Sequence, residues 1–234
     1  MDYYPVFLNL NGKKAVVVGG GKVAERKVIS LVAAGADVTV VSPSLTRRLR
    51  KAMSEGRIRY ISRLYTKKDV KGAFLVIAAT DSPDANRRVS KDAPALVNVV
   101  DVPAECNFIA PSVVRRGQLL IAISTGGASP AFSKALRKEL QVCYGPEFSS
   151  YLKFVKEIRV KAMAAIPQGD RRESFLKGLA SEEIFSLLRT KGFDAVKKMV
   201  LDRLKRMLPA YSSKTGASTH PYTPPKRGIK QRRL

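Results

Sequence analysis

The chain has 234 residues, 45% of them hydrophobic and 26% charged, which is enough to bury one substantial core and a second, smaller unit. Its formal net charge of +24 would attract nucleic acid, anionic lipid or a small polyanion, so charge alone does not identify a partner. No apolar run approaches the roughly 18 residues of a membrane span, and the first residues lack a signal-peptide pattern, so we expect a soluble, cytoplasmic protein without membrane association.

The first half of the sequence alternates short apolar runs with helical patterns. Continuous apolar runs rich in Val, Ile and Ala are typical of parallel strands covered on both faces. They predict strands at residues 15–18, 38–41, 58–61, 74–79 and 96–100. Helical spacing at 23–34, ended by Gly35, makes the first two strands and this helix a βαβ unit.

The pattern changes after Asp101. Two apolar runs, 107–114 and 118–124, predict a hairpin with its turn at Arg115-Arg116-Gly117. Helices are then predicted at 130–143, 146–166 and 170–179, the last with Asp170 and Glu173 as a capping box. Ser181 should cap a further helix, and Asp194 one at 195–208. The remaining 26 residues hold six basic and no acidic side chains, and we expect a disordered basic tail.

A glycine motif follows the first predicted strand directly. It is a G-x-G-x-x-A fingerprint made of Gly19, Gly20, Gly21, Lys22, Val23 and Ala24. In this context Gly19 permits a tight turn, Gly21 lets the backbone approach a pyrophosphate, and Ala24 lets helix and strand pack closely. The helix N-terminus supplies free amides for the phosphates. The motif predicts a dinucleotide site.

The second strand departs from the usual pattern for NAD. A carboxylate normally binds the adenosine ribose there, whereas this chain has Ser42, Pro43 and Ser44. Either serine can bond a ribose hydroxyl, and the nearby Arg47 and Arg48 can receive a 2′-phosphate, so NADP stays an alternative to NAD. Thr80, after the fourth strand, is a further candidate cofactor contact at the same sheet edge.

Cysteine and histidine are scarce. Cys106 and Cys143 have no close Cys or His partner in the sequence, so neither a disulfide framework nor a metal site is predicted. The single histidine, His220, lies in the predicted tail. A histidine base or a Ser-His dyad in the folded part is therefore excluded.

These segments together resemble the precorrin-2 dehydrogenases, including the amino-terminal part of sirohaem synthase and the bifunctional fungal dehydrogenase and ferrochelatase. The resemblance is carried by YPVF near the start, VVVGGGKVAERK, LVIAATD, NVVD, FIAPS and ISTGGASP, in that order, over roughly residues 1–145. Beyond that, only a loosely helical region is similar. The combination is far more specific than the glycine motif alone.

The resemblance implies an α/β fold: a Rossmann-type parallel sheet, a small dimerisation segment and a helical carboxy-terminal domain. We expect the NAD-binding domain at 1–112, the dimerisation segment at 113–144, the helical domain at 145–208 and the tail at 209–234. The implied activity is NAD-dependent oxidation of precorrin-2 to sirohydrochlorin by a homodimer. Asp101, in the NVVD motif at the carboxyl edge of the sheet, is the implied catalytic residue.

The substrate's acetate and propionate groups require positive or hydrogen-bonding partners. The Gly-rich loop before the helix at 130 suits an anion and contributes Ser124, Thr125 and Gly126. Arg115, Arg116 and Arg137 are the candidate cations.

Other functions stay open from the sequence. Some family members also insert iron, and no motif here decides that activity. From another class, the chain fits an NAD-sensing regulator that binds nucleic acid or a protein partner, although it lacks a recognisable helix-turn-helix, so nucleic acid is the weaker prediction. A tetrapyrrole-binding scaffold without activity is the third alternative.

Overall fold

A computed structural model describes residues 3–208 of the chain. These residues form two compact units, divided between Gly145 and Pro146 and described in turn below. The predicted disordered tail, 209–234, lies outside the described residues.

The first unit is built on a five-stranded parallel sheet, in the order β3-β2-β1-β4-β5. Its strands are β1 (Lys14–Val18), β2 (Asp37–Val41), β3 (Arg59–Ile61), β4 (Leu75–Ala78) and β5 (Leu96–Val99). All five were predicted from the apolar runs, within one or two residues at each end. β1 and β4 lie in the middle, so their side chains are buried on both faces.

Helices cover the sheet on two sides. They are α1 (Lys22–Ala33), α2 (Arg47–Ser54) and α3 (Pro83–Asp92), with 3₁₀ turns at Lys67–Val70 and Pro103–Glu105. One apolar cluster joins α1 and α2 to one face of the sheet, and a second joins α3 and the first 3₁₀ turn to the other. Asn107 forms hydrogen bonds with the outer edge of β5. Its backbone N donates to Val97 O, and its side-chain Oδ1 accepts from Val97 N.

A hairpin and one long helix complete the first unit. β6 (Ser112–Arg116) and β7 (Leu119–Ile123) pair antiparallel, and α4 (Pro130–Cys143) packs on both strands. The prediction that Arg115 and Arg116 form the turn is wrong, because both lie in β6. Gly117 takes the left-handed position (φ 59°) that the two-residue turn requires, which arginine would adopt only at a cost.

The second unit is helical. It consists of α5 (Glu147–Ala165), α6 (Asp170–Gly178) and α7 (Glu182–Met207). The predicted capping box at α6 is wrong: Asp170 is the first helical residue, Gly169 is the N-cap, and no side chain caps this end. Ser181 caps α7 as predicted, but the later break falls at Gly192 (φ 76°), two residues before Asp194. None of the described helices is long and apolar enough to span a membrane.

Candidate active site

Three loops meet at the carboxyl edge of the sheet. Backbone hydrogen bonds continue past the ends of the strands. Gly19 N donates to Val41 O (2.9 Å), Ala79 N donates to Val18 O (2.8 Å), and Val100 N donates to Ala78 O (2.9 Å). The loops after β1, β4 and β5 are therefore held side by side. This edge is where open α/β sheets bind their ligands.

The three glycines of the first loop have different roles. A Cβ on Gly19, whose φ is 118°, would lie 2.2 Å from Ala79 O, and one on Gly20 would lie 1.9 Å from Ser44 O. A Cβ on Gly21 would meet nothing within 4 Å. Gly19 and Gly20 thus allow close contact with two neighbouring loops, while Gly21 leaves an open backbone surface. The role of Gly20 was not predicted, because its partner lies in another loop.

That open surface leads into the N-terminus of α1. Gly21 is the N-cap, and no side chain caps this helix end. Exposed Lys22 and half-buried Val23 continue the first turn, and Ala24 is fully buried, so the helix lies close to the sheet. Uncapped first-turn amides with a partial positive charge suit a pyrophosphate. The chain therefore fits a dinucleotide on its own geometry.

The loop after β2 is tied to the glycine loop. Thr46 donates its amide to Gly20 O (3.1 Å) and its hydroxyl to Glu25 Oε2 (2.5 Å). The Ser42 side chain is buried, and its Oγ accepts from Ser44 N (3.4 Å), so it supports the loop. Pro43 and Ser44 are exposed. Of the two predicted serines, Ser44 is the accessible one. The hydrogen bonds from Thr46 to Gly20 and Glu25 were not predicted. Glu25 directly follows the glycine motif, and Thr46 lies two residues after Ser44.

Thr80 is held by a residue that sequence reasoning missed. Its backbone amide donates to Asn86 Oδ1 (3.1 Å), its hydroxyl lies 2.7 Å from the same oxygen, and Asn86 Nδ2 donates to Thr80 O (3.0 Å). Asn86 is buried on α3. The signal available in the sequence was that Asn86 is a polar residue on the inner face of a helix. These contacts fix the loop after β4.

Asp101 lies in a strained turn after β5. Among residues 3–208 it is the only non-glycine residue with a positive φ, 61°. Val102 N donates to Val99 O (3.3 Å) across the turn, and the Cys106 thiol lies beneath it, accepting from Val99 N (3.1 Å). The carboxylate is exposed. A left-handed aspartate costs about 1 kcal/mol, and such strain concentrates at functional sites.

The predicted substrate residues lie on β6, on α4 and in the loop that joins β7 to α4. In the loop from Ser124 to Ser129, the Thr125 hydroxyl bonds within the loop, accepting from Ser129 N (3.1 Å). Ser124 is exposed and its Oγ accepts from Gly126 N (3.1 Å). Gly126 has a left-handed φ of 61° and open space around it. This loop presents one accessible hydroxyl beside the N-terminus of α4.

The three arginines differ. Arg116 donates from Nε to Tyr144 O (2.8 Å) and from Nη2 to Gln141 O (3.0 Å), so it caps the C-terminus of α4. This structural role was not predicted, and a contact of Arg116 with substrate stays a prediction. Arg115 is exposed on β6, and Arg137 is half-buried on α4. All three arginines stay candidates for substrate binding.

The described residues hold no group of three or more His, Cys, Asp or Glu side chains that could bind a metal ion. Neither Cys106 nor Cys143 forms a disulfide within the described residues.

A parallel sheet of this order, with a glycine-lined helix N-terminus at its carboxyl edge, defines a dinucleotide-binding protein of the Rossmann class. Residues 6–112 match the family model described as putative NAD(P)-binding, and residues 116–142 match the sirohaem biosynthesis protein central model. The predicted cofactor class and fold class are thereby confirmed. The chain belongs to the sirohaem-biosynthesis family that includes siroheme synthases and precorrin-2 dehydrogenase.

Relatives and a solved structure agree with that placement. A siroheme synthase of Methylobacillus flagellatus is 40% identical over 193 residues, covering 80% of this chain and 41% of the relative. One from Thioalkalivibrio sulfidiphilus is 38% identical over 201 residues, covering 85% and 41%. The chain thus spans about two fifths of these relatives. The structure of SirC, precorrin-2 dehydrogenase, matches with a TM-score of 0.71 and 26% identity, over 86% of this chain and 100% of that one.

Proposed function

We propose that this chain catalyses the NAD-dependent oxidation of precorrin-2 to sirohydrochlorin. The likeness to SirC extends over that whole protein, which supports an activity contained in a chain of this length. NAD⁺ would accept one hydride from the macrocycle, and one proton leaves to a base or to water. The protein's own task is to hold both molecules at the sheet edge and to accept that proton.

The strained turn at Asp101 carries the proposal. Its exposed carboxylate stands at the carboxyl edge, two loops from the glycine surface proposed for the pyrophosphate. Glycine would occupy a φ of 61° without strain, yet the chain has an aspartate there. A carboxylate kept at such a position suits the catalytic residue that takes the proton.

The carboxylates of the tetrapyrrole account for the basic character of the chain. Arg115 and Arg137 carry charges that the described ion pairs do not neutralise. The Ser124 hydroxyl adds a donor for an anion, and the N-terminus of α4 adds a partial positive charge. We assign these groups to the substrate's acetate and propionate side chains.

We also propose that two chains associate through the hairpin and α4. β6 and β7 each pair with only one strand among the described residues, which leaves two open edges. Apolar side chains nearby are exposed: Val113 by 40%, Phe132 by 60% and Val142 by 84%. A twofold interface would cover them. Light scattering should give a dimer, and Val142→Lys with Phe132→Asp should give monomers.

The test is anaerobic absorbance spectroscopy of the purified chain with precorrin-2 and NAD, NADP or no cofactor. We expect cofactor-dependent appearance of sirohydrochlorin. Asp101→Asn keeps the shape and tolerates the left-handed backbone, so it should fold and bind cofactor normally while turnover falls about 10²-fold or more. Asp84→Asn, on an exposed site of α3, is the matched control. Equal turnover in the Asp101 variant would remove this residue from the mechanism.

The same assay separates the alternatives. An enzyme-accelerated spectral change on adding ferrous iron would establish iron insertion as well. Binding of precorrin-2 without conversion would refute the dehydrogenase and indicate a scaffold. Absence of any tetrapyrrole effect, combined with tight and strongly salt-dependent nucleic-acid binding, would indicate the regulator instead.

A further inference from the structure

The end of β2 lacks the carboxylate that distinguishes NAD from NADP in Rossmann-class sites. In such sites a carboxylate after the second strand binds the 2′-hydroxyl of the adenosine ribose, whereas an arginine nearby accommodates the 2′-phosphate of NADP. This chain has Ser42, Pro43 and Ser44 after the strand. Two exposed arginines, Arg47 and Arg48, begin α2. These residues by themselves would admit either cofactor.

A carboxylate reaches the same loop from α1. Glu25 lies in the first turn of α1, and its Oε2 accepts a hydrogen bond from the Thr46 hydroxyl (2.5 Å). Its other oxygen, Oε1, lies 3.9 Å from Nη1 of Arg48. The Thr46 hydroxyl also accepts from Leu49 N (3.3 Å) and so caps α2. The Glu25 carboxylate is therefore fixed at the junction of the loop after β2 with α2.

This junction adjoins the surface proposed for the pyrophosphate. Thr46 N donates to Gly20 O (3.1 Å), so the loop after β2 contacts the glycine loop directly. Glu25 N donates to Gly21 O (2.9 Å), one helical turn away, and 18% of the Glu25 side chain is exposed. A dinucleotide whose pyrophosphate lies on Gly21 places its adenosine ribose against the loop after β2. The Glu25 charge is then close to the 2′ position, and its partial burial limits screening by water and salt.

We propose that Glu25 determines the specificity of this chain for NAD over NADP. The proposal rests on the cofactor site of the proposed function and deepens it. A phosphate monoester carries a charge of about −1.5 to −2 at pH 7, which the carboxylate repels. The same carboxylate pairs with Arg48 and offsets part of the charge that would attract a 2′-phosphate. NAD has a neutral ribose hydroxyl at that position and escapes both effects.

Fluorescence titration with NADH and NADPH tests the proposal without a tetrapyrrole. The wild-type chain should bind NADH at least about tenfold more tightly than NADPH, because repulsion between charges a few Å apart in a partly buried site is worth at least that factor. Equal affinities, tighter binding of NADPH, or no binding of either dinucleotide would overturn the proposal. This measurement needs no variant, so it stands if a substitution at Glu25 prevents folding.

Glu25→Gln removes the charge and keeps the shape of the side chain. Its amide oxygen can still accept from the Thr46 hydroxyl, so the cap of α2 is preserved. We expect NADPH affinity to rise at least about tenfold, and NADH affinity to change by less than about threefold. Glu25→Ala, with a residue that favours helix, is the second variant and should shift the ratio of affinities in the same direction.

Glu55→Gln is the matched control for the loss of one charge. Glu55 lies at the opposite end of α2 and, like Glu25, pairs with basic side chains, those of Lys51 and Arg57. Its substitution should leave both affinities at their wild-type values. A ratio of affinities that stays unchanged in Glu25→Gln, or that shifts equally in Glu55→Gln, would overturn the role of Glu25.

Turnover with precorrin-2 separates this proposal from the proposed function. A wild-type chain that prefers NADH, loses that preference in Glu25→Gln and does not oxidise precorrin-2 would support the role of Glu25 and refute the dehydrogenase. Oxidation of precorrin-2 together with a ratio of affinities that Glu25→Gln leaves unchanged would do the reverse. In the expected case, kcat/KM for NADP rises in Glu25→Gln by about the same factor as the affinity for NADPH.

Discussion

Substitution of Gly21 should separate an effect on cofactor affinity from an effect on the stability of the fold. A Cβ there would meet nothing within 4 Å, and its backbone (φ −79°, ψ −175°) is extended, a conformation that any residue adopts. In Gly21→Ala the unfolded chain has less conformational entropy, which stabilises the folded state by about 0.4 to 1 kcal/mol. Alanine is a poorer N-cap than glycine, which costs a similar amount. We therefore expect the free energy of unfolding to change by less than about 0.5 kcal/mol in urea denaturation.

Cofactor affinity should respond quite differently. The added methyl group would occupy the surface that the pyrophosphate must approach, so NADH binding measured by fluorescence should weaken at least about tenfold, or about 1.4 kcal/mol. Gly21→Asp adds a negative charge and should abolish binding. Gly178→Ala, also in open space but on α6, is the control and should bind normally. Wild-type affinity in Gly21→Ala would refute this placement of the pyrophosphate.

Three further substitutions test contacts that hold the fold. In Gly20→Ala the new Cβ would lie 1.9 Å from Ser44 O, so we expect a loss of about 1 to 3 kcal/mol in urea unfolding, and an unchanged midpoint would contradict the loop contact. Tyr151→Phe removes the buried bond from Oη to Leu179 O (2.6 Å), costing about 1 to 3 kcal/mol. Burial raises the pKa of Tyr151 to about 12, so wild-type stability should fall from about pH 10 to 12, and the Phe variant should lack that fall. Asp69→Asn should destabilise at pH 7 by about 1 to 3 kcal/mol. The hydrogen-bonded guanidinium of Arg63 lowers the pKa of the Asp69 carboxyl below its usual 3.8. This contribution to stability is therefore lost as the pH falls from about 3.8 through the lowered value, and the deficit of the variant should shrink over that range.

The sheet could be predicted because its central strands leave a simple signal. β1 and β4 are buried on both faces, so their apolar runs are continuous and end where the chain turns. The glycine loop was equally predictable in position, since strand, loop and helix follow one another directly. Helix ends were less predictable. Asp170 and Asp194 are plausible capping residues, but the helix boundaries fall at Gly169 and Gly192 instead. A nearby glycine can adopt a left-handed or otherwise unusual conformation, so a capping residue alone does not fix a boundary.

Contacts between distant segments could not be predicted. Arg116 looks like a free surface cation in the sequence, and only the packing of α4 on the hairpin brings Gln141 O and Tyr144 O within reach of its guanidinium. Asn86 similarly acquires a function from the loop after β4. In both cases the partner is separated by several residues or by a whole helix, and nothing in the local pattern specifies it.

The position of Asp101 links the fold to the chemistry. Val99 N and the Val99 and Val102 carbonyls all contact the Cys106 thiol, so the chain on both sides of the turn is fixed from below. Such bonds offset the roughly 1 kcal/mol cost of the left-handed backbone. A turn that needed only to reverse direction would be more stable with glycine at that position. Under the proposed function, the carboxylate at this position serves the site, and the Asp101→Asn variant, which preserves the backbone, tests the carboxylate alone.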